Sequence, residues 1–188
     1  MSGLHADALA VLDRWTPPDK RQARLRQEYV DHLREHPDGL RRSCRPDHVT
    51  ASTLVVSPDR ESVLLTLHAK ADRWFQLGGH VEEDDLTLAG AALREATEES
   101  GIAGLVLDPA PVHLDAHDVP FCGGEGARHL DVRFLAVAPD GARHVVSEES
   151  SDLRWWPVDD LPGDETSLRE LVDRGLDRLG RHGAGVDA

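Results

Sequence analysis

The spacing of apolar residues predicts two helices at the start of the chain. Apolar side chains recur every three or four positions, which is the period of a helix with one buried face. They are Leu4, Ala8, Val11, Leu12 and Trp15. Thr-Pro-Pro-Asp at 16–19 breaks the pattern, and Asp19 is suited to cap a second helix that runs to residue 33. We expect residues 1–48 to form a helical extension, packed on the main domain or on a partner subunit.

From residue 49 onward, short runs of β-branched and apolar residues predict strands. Residues 50–56 and 62–67 flank a Ser-Pro-Asp-Arg turn and should pair as a hairpin. Further strands are predicted at 74–77, where Gly78 and Gly79 stop the run, and at 112–119, 130–138 and 153–158. Helices are predicted at 87–100 and 166–179.

This mixture predicts an α/β fold in which one sheet lies between helices. We expect the main domain to span 49–180, with a flexible tail over 181–188.

The charge of the chain limits its partners. Lys and Arg number 21 against 35 Asp and Glu, for a net charge of −14. Such a surface disfavours nucleic acid and anionic membranes as partners, although a small anionic substrate could bind through a metal ion. No apolar run is long enough for a membrane span, and no basic, apolar leader opens the sequence, so a cytoplasmic location is expected. Two cysteines do not make a disulfide framework.

Three carboxylates cluster on the helix predicted at 87–100. At 100° per residue, Glu95, Glu98 and Glu99 share an arc of about 100°. Like charges at this spacing, near the negative end of a helix, are locally unfavourable, so a compensating cation is expected. Carboxylate oxygens suit Mg²⁺ or Mn²⁺. The alternative is a solvated acidic face, but Arg94 lies four residues before Glu98 and a Gly-Gly turn precedes the helix.

The segment 79–102 resembles the signature of the Nudix hydrolases. In that signature a Gly is followed after five residues by Glu and, after seven more, by Arg-Glu-apolar-x-Glu-Glu-x-Gly-apolar. Arg-Glu-Ala-Thr-Glu-Glu-Ser-Gly-Ile at 94–102 fits the second half, and Gly79 fits the opening. Asp85 stands where Glu is expected, and eight residues rather than seven separate it from Arg94. The loop carboxylate that supports Arg94 or the metal is therefore Asp85, Asp84 or Glu83.

The resemblance implies an α/β/α sandwich with a mixed sheet and a pyrophosphohydrolase activity. The substrate would be a small phosphorylated compound, a nucleoside diphosphate linked to another group. Glu95, Glu98 and Glu99 would hold Mg²⁺ or Mn²⁺, with the Gly79 carbonyl as a further ligand and Arg94 beside them. A water activated by the metal would attack phosphorus, with a carboxylate as base. For that base we favour Glu149 slightly over Glu148, although both could be exposed loop acids.

Alternating polar residues on the two strands at 112–119 and 130–138 predict a polar sheet face. His113, Asp115 and His117 alternate, as do His129, Asp131 and Arg133. This face could bind substrate, hold a second metal, or be an ordinary polar face. Zinc is the weaker expectation, and Cys44 and Cys122 are expected to be free thiols. Trp74 could stack on a base or enter the core. The substrate-binding candidates are Trp74, His117, His129, Asp131 and Arg133.

Two other functions remain open from the sequence. A Nudix-fold domain can bind a nucleotide as a sensor without hydrolysis, although the intact Arg-Glu-x-x-Glu-Glu pattern favours catalysis. An isomerase of allylic diphosphates would need a catalytic Cys, and neither cysteine lies in a matching pattern. A homodimer is possible, with the N-terminal helices as a surface.

Overall fold

The computed structural model describes residues 3–69, 71–120, 122, 126–145 and 150–180. The helices are α1 (Gly3–Arg14), α2 (Lys20–Glu35), α3 (Leu88–Ser100) and α4 (Thr166–Arg178). The strands are β1 (Asp47–Val56), β2 (Ser62–His68), β3 (Arg73–Phe75), β4 (Leu77–His80), β5 (Val106–Val119), β6 (Ala127–Val137) and β7 (Ser150–Pro157). The proposed flexible tail at 181–188 lies outside the described residues.

The strands form one mixed sheet. Its main path runs in the order β3-β2-β1-β6-β5, with β4 paired to β1 and β7 paired to β2. β1 and β6 are parallel, whereas β1 with β2 and β5 with β6 are antiparallel. The hairpin predicted for residues 50–56 and 62–67 is therefore confirmed. The parallel pair at the centre brings together segments that lie about eighty positions apart in the sequence.

Helices cover both faces of this sheet, which gives the expected α/β/α sandwich. On one face, α1, α2 and α3 pack on alternate residues of the central strands, including Ala51, Val132 and Phe134. On the opposite face, α4 packs on Leu54, Leu135 and their neighbours. Among the described residues, no helix has the length and hydropathy needed to cross a membrane.

The N-terminal helices pack on the sheet and on α3. The buried Gln22 side chain of α2 donates to the Leu114 carbonyl at 2.9 Å and accepts from the Leu114 amide at 2.7 Å, which satisfies part of the outer edge of β5. Asp7 of α1 accepts the Leu88 amide at 2.8 Å at the start of α3. α1 thus holds the end of the helix that carries the carboxylate cluster.

The prediction that Gly78 and Gly79 stop a strand is wrong, because β4 runs through both glycines. Gly78 lies opposite Ser52 of β1, and a Cβ on Gly78 would lie 2.3 Å from the Ser52 Cβ. Its φ of +153° also disfavours an L side chain. The glycines therefore permit close pairing of two backbones instead of ending the strand. β5 also begins earlier than predicted, at Val106 rather than residue 112.

We expect Gly78→Ala to lower the free energy of unfolding by about 2–3 kcal/mol, since the added methyl group would meet strand backbone that cannot easily move. Chemical denaturation measures the change. Gly3→Ala is the control, because a Cβ there has no neighbour within 4 Å. Equal stability of the Gly78→Ala and wild-type proteins would contradict this close approach.

Candidate active site

Local capping fixes both ends of α3. The Thr87 hydroxyl accepts the Gly90 amide at 3.0 Å at the N-terminus. Gly101 ends the helix in a left-handed conformation, with φ of 67°, which a glycine adopts without strain. Since α3 packs against β1 and β4, these caps determine where its last two turns meet β4.

Arg94 is the centre of the site. Its guanidinium donates two hydrogen bonds to Asp85, at 3.0 and 2.9 Å, and its Nη1 donates to Glu95 and Glu98, each at 3.1 Å. Its Nη2 also donates to the His80 carbonyl at 3.2 Å. Of the three loop acids left open by the sequence, Asp85 is therefore the one that supports Arg94, whereas Glu83 pairs with Arg41.

The Asp85–Arg94 pair is ionised at neutral pH. Its hydrogen bonds to Asp85 raise the pKa of Arg94 above its already high ordinary value. Burial by itself would raise the pKa of Asp85, but the hydrogen bonds from Arg94 and the Glu82 amide bring it below the usual value. One carboxylate thus balances Arg94, while Glu95 and Glu98 add further negative charge.

Two of the three helix carboxylates meet the backbone of β4. The Glu95 carboxylate lies so close to Gly79 that a Cβ on that residue would be 2.8 Å from Oε2. Glu99 accepts the Gly78 amide at 2.8 Å. The side chain of Glu98 is 61% exposed, and burial raises the pKa of Glu95. The available donors are oxygens, some solvent-facing, which fits the preference of Mg²⁺ or Mn²⁺.

Part of the sheet face opposite α3 is polar, and we call this part the polar half-face. Strand register aligns three rows of polar side chains across β1, β6 and β5. The rows are His48–His129–His117, Thr50–Asp131–Asp115 and Ser52–Arg133–His113. These residues alternate with the apolar residues that face α1, α2 and α3, so the rows share the opposite face with α4.

Asp131 and Arg133 form a buried network in this half-face. Asp131 accepts from Ser52, at 2.8 Å, and from Gln76 and Thr50, each at 3.1 Å. Arg133 donates to Asp131 at 2.9 Å and to Asp115 at 3.0 Å. The two residues are 3% and 4% exposed. Their polar atoms are therefore used mainly within the protein.

The network continues under α4. The Ser167 hydroxyl donates to Asp115 at 2.7 Å, and the His117 ring nitrogen Nδ1 lies 2.9 Å from the same carboxylate. Burial opposes ionisation of Asp115, yet hydrogen bonds from His117 and Ser167 and the charge of Arg133 hold its pKa well below the usual value. Asp115 is a buried anion that links β5, β6 and α4.

The remaining substrate-binding candidates are more accessible. The His117 side chain is 38% exposed, and its ring centroid lies 5.7 Å from that of His129. Trp74 is half-buried and contacts Trp156 edge-to-face at 5.2 Å, beneath the Arg154 guanidinium. It packs beside the apolar cluster of α4. Glu149 and Glu148, the candidate bases, lie outside the described residues.

Sequence reasoning missed several members of this region. The rings of His48 and His80 lie close to the ring of His129, and Gln76 contacts Asp131. The parallel pairing of β1 with β6 brings His48 opposite His129, and no local pattern in the sequence indicates that pairing. Neither cysteine forms a disulfide, and Cys122 lies 3.6 Å from the His80 ring.

Comparisons with known proteins agree with this geometry. A family model described as NUDIX domain matches residues 46–175. A hydrolase of the NUDIX family from Clostridium perfringens is 26% identical, with a TM-score of 0.56, over 70% of this chain and 97% of that one. Among curated protein sequences, none matches this chain significantly.

Two further solved structures share the fold. A C. elegans Ap4A hydrolase in a binary complex is 18% identical, with a TM-score of 0.58, over 71% of this chain and 98% of that one. The E. coli dihydroneopterin triphosphate pyrophosphohydrolase is 20% identical, with a TM-score of 0.56, over 71% and 97%.

The buried His113 should make stability depend on pH. Burial, and then the charge of Arg133, lower the pKa of His113 from 6.5 to about 4. The unfolded chain therefore binds a proton between these values that the folded protein does not, so the free energy of unfolding falls as pH drops from 6.5 to about 4. His113→Gln should reduce this fall, as measured by urea denaturation across that range. An unchanged pH dependence in the variant would contradict the assignment.

Proposed function

This chain belongs to the Nudix family and is a Nudix-type pyrophosphohydrolase, and we propose that it cleaves the diphosphate bond of a nucleotide derivative with the help of Mg²⁺ or Mn²⁺. The observation that carries the metal proposal is the placement of Glu95 against Gly79 and of Glu99 against Gly78, with Glu98 beside them on α3. Arg94 is the cation that joins Glu95 and Glu98.

We assign the metal to Glu95, Glu98 and Glu99, with the Gly79 carbonyl as a further ligand. The absence of a Cβ at Gly79 supports this, since a side chain there would displace the Glu95 carboxylate. When bound, a divalent cation neutralises phosphate charge and lowers the pKa of water at the site. Arg94 orients Glu95 and Glu98, and its bidentate pairing with Asp85 prevents it from turning away.

The substrate would lie along the polar half-face. Trp74 and His117 have the exposed surface needed for direct contact with a base, ribose or phosphate. Asp131 and Arg133 would act as positioning residues, because their polar atoms are already paired with each other and with the neighbouring strands. His129 is half-buried, so its accessibility lies between that of the exposed candidates and that of the buried Asp131–Arg133 pair. Glu149 remains the proposed base, in the segment before β7.

The relatives indicate which bond to test. The Ap4A hydrolase and the dihydroneopterin triphosphate pyrophosphohydrolase are named for substrates with phosphate–phosphate linkages. At 18% and 20% identity, these two relatives share the fold with this chain but do not indicate its substrate. The substrate must therefore be identified by assaying a panel of compounds. A suitable panel holds nucleoside triphosphates, sugar nucleotides, dinucleoside polyphosphates and NADH.

We expect Glu98→Gln to lose nearly all metal-dependent turnover while remaining folded, since its side chain is exposed and makes few structural contacts. Phosphate release from the panel, with Mg²⁺ or Mn²⁺, measures the loss. Glu35→Gln is the matched control, because Glu35 is an exposed glutamate in the last turn of α2.

Substantial activity in Glu98→Gln would remove the carboxylate cluster from the reaction. If no compound is cleaved but several raise the thermal stability of the protein by binding, the site binds nucleotides without hydrolysis and the proposal is overturned.

A further inference from the structure

A second group of potential metal ligands lies on the opposite side of β4 from the carboxylate cluster and differs from it in chemistry. His48, His80, Cys122 and His129 form what we call the imidazole–thiol cluster. Strand register brings them together: His48 of β1 lies directly opposite His129 of β6. His80 is on β4, opposite Thr50 of β1, and Cys122 follows β5.

The ligand atoms of this cluster already converge. One atom from each residue lies within 4.8 Å of the other three. The ring centroids of His48, His80 and His129 are 4.8 to 5.1 Å apart, and Cys122 Sγ lies 3.6 Å from His80 Nε2. In a tetrahedral zinc site such atoms are about 3.4–3.8 Å apart, since the metal bonds are about 2.0–2.3 Å long. Small side-chain rotations would close the difference.

Two ring nitrogens of the cluster are buried without a partner. His48 Nε2 and His129 Nε2 have no hydrogen bond to any described residue, and His48 is fully buried. His48 Nδ1 lies 3.3 Å from the Cys44 carbonyl. That contact favours a proton on Nδ1 and a free electron pair on Nε2, as is typical of a histidine that ligates a metal. An ordinary packed histidine would usually satisfy both nitrogens.

The donor set points to a particular kind of ion. Neutral imidazole and thiolate ligands suit zinc, whereas Mg²⁺ and Mn²⁺ prefer oxygen. Arg45 donates to the carbonyls of Cys122, at 3.0 Å, and Gly126, at 2.6 Å, which holds the backbone of Cys122 near the cluster.

We propose that the imidazole–thiol cluster is a four-ligand Zn²⁺ site, separate from the carboxylate cluster. On binding, the Cys122 thiol releases its proton to solvent and three neutral imidazoles complete the shell. The ion would join β1, β4 and β6 to Cys122. It would also fix His80, whose carbonyl accepts a hydrogen bond from Arg94. The Zn²⁺ site thus supports the strand on which the carboxylate cluster rests.

Cobalt titration of the full chain tests this proposal. Protein stripped with a chelator, and then freed of the chelator, is titrated with Co²⁺, which reports tetrahedral geometry and thiolate ligation by its absorption. We expect about one equivalent to bind with visible d–d bands and a thiolate charge-transfer band, both abolished by Zn²⁺. Failure of the wild-type protein to develop these bands would overturn the proposal.

Variants identify the ligands. Cys122→Ser should lose the charge-transfer band, and His129→Gln should keep that band but bind Co²⁺ at least about 100-fold more weakly, more than the loss of an outer partner costs. Circular dichroism verifies folding of both. Cys44→Ser, at the other buried cysteine, and Glu98→Gln should retain wild-type spectra and affinity. Loss of the band in Cys44→Ser but not in Cys122→Ser would place the ion with His36, Asp38 and Cys44 and overturn the assignment.

Discussion

The structure of the site depends on one compensation of charge, in which Arg94 holds several carboxylates at the end of a helix. Like charges at this spacing oppose helix formation, and the C-terminal end of a helix dipole adds to the cost. Arg94 offsets the cost for Glu95 and Glu98 through a single nitrogen, while Asp85 fixes the guanidinium from the loop. Because the pair with Asp85 already balances Arg94, the cluster keeps an excess of negative charge. A divalent cation would neutralise that excess, so the arrangement that opposes helix formation favours the proposed metal site.

One face of the sheet is divided into an apolar part and a polar part. Next to α4 the face is apolar and closed, whereas the half near β4 carries rows of polar residues. Some of these polar groups are paired within the protein, since Asp131 and Arg133 bind each other and link β6 to β1 and β5. The division places a polar half-face on the side of the sheet opposite α3. It also brings three histidines and a cysteine together where no single strand would predict them.

Local patterns predicted much of this. The helix predicted at 87–100 agrees with α3 to within one residue, and helical spacing alone places the three glutamates on one arc. The polar alternation in β5 and β6 identified the face on which His117 and His129 lie. Alternation predicts which face of a strand a side chain is on, but it does not predict how deeply that side chain is buried. The burial of Asp131 and Arg133 could therefore not be predicted. The parallel pairing of β1 and β6 is equally non-local, which is why His48 was not connected with His129. The prediction that Gly78 stops a strand was wrong because the close approach of Gly78 to Ser52 arises from tertiary pairing and not from the local sequence.

The most direct test of the central claim is metal binding without substrate. Electron paramagnetic resonance of Mn²⁺ measures the free ion in the presence of the wild-type protein and of a Glu95→Gln, Glu98→Gln double variant. If Arg94 and the three carboxylates form a site with excess negative charge, the wild-type protein removes at least one equivalent of Mn²⁺ from solution and the double variant removes far less at the same concentration. Equal binding by the two folded proteins would contradict the account, because the ion would then be held by other residues.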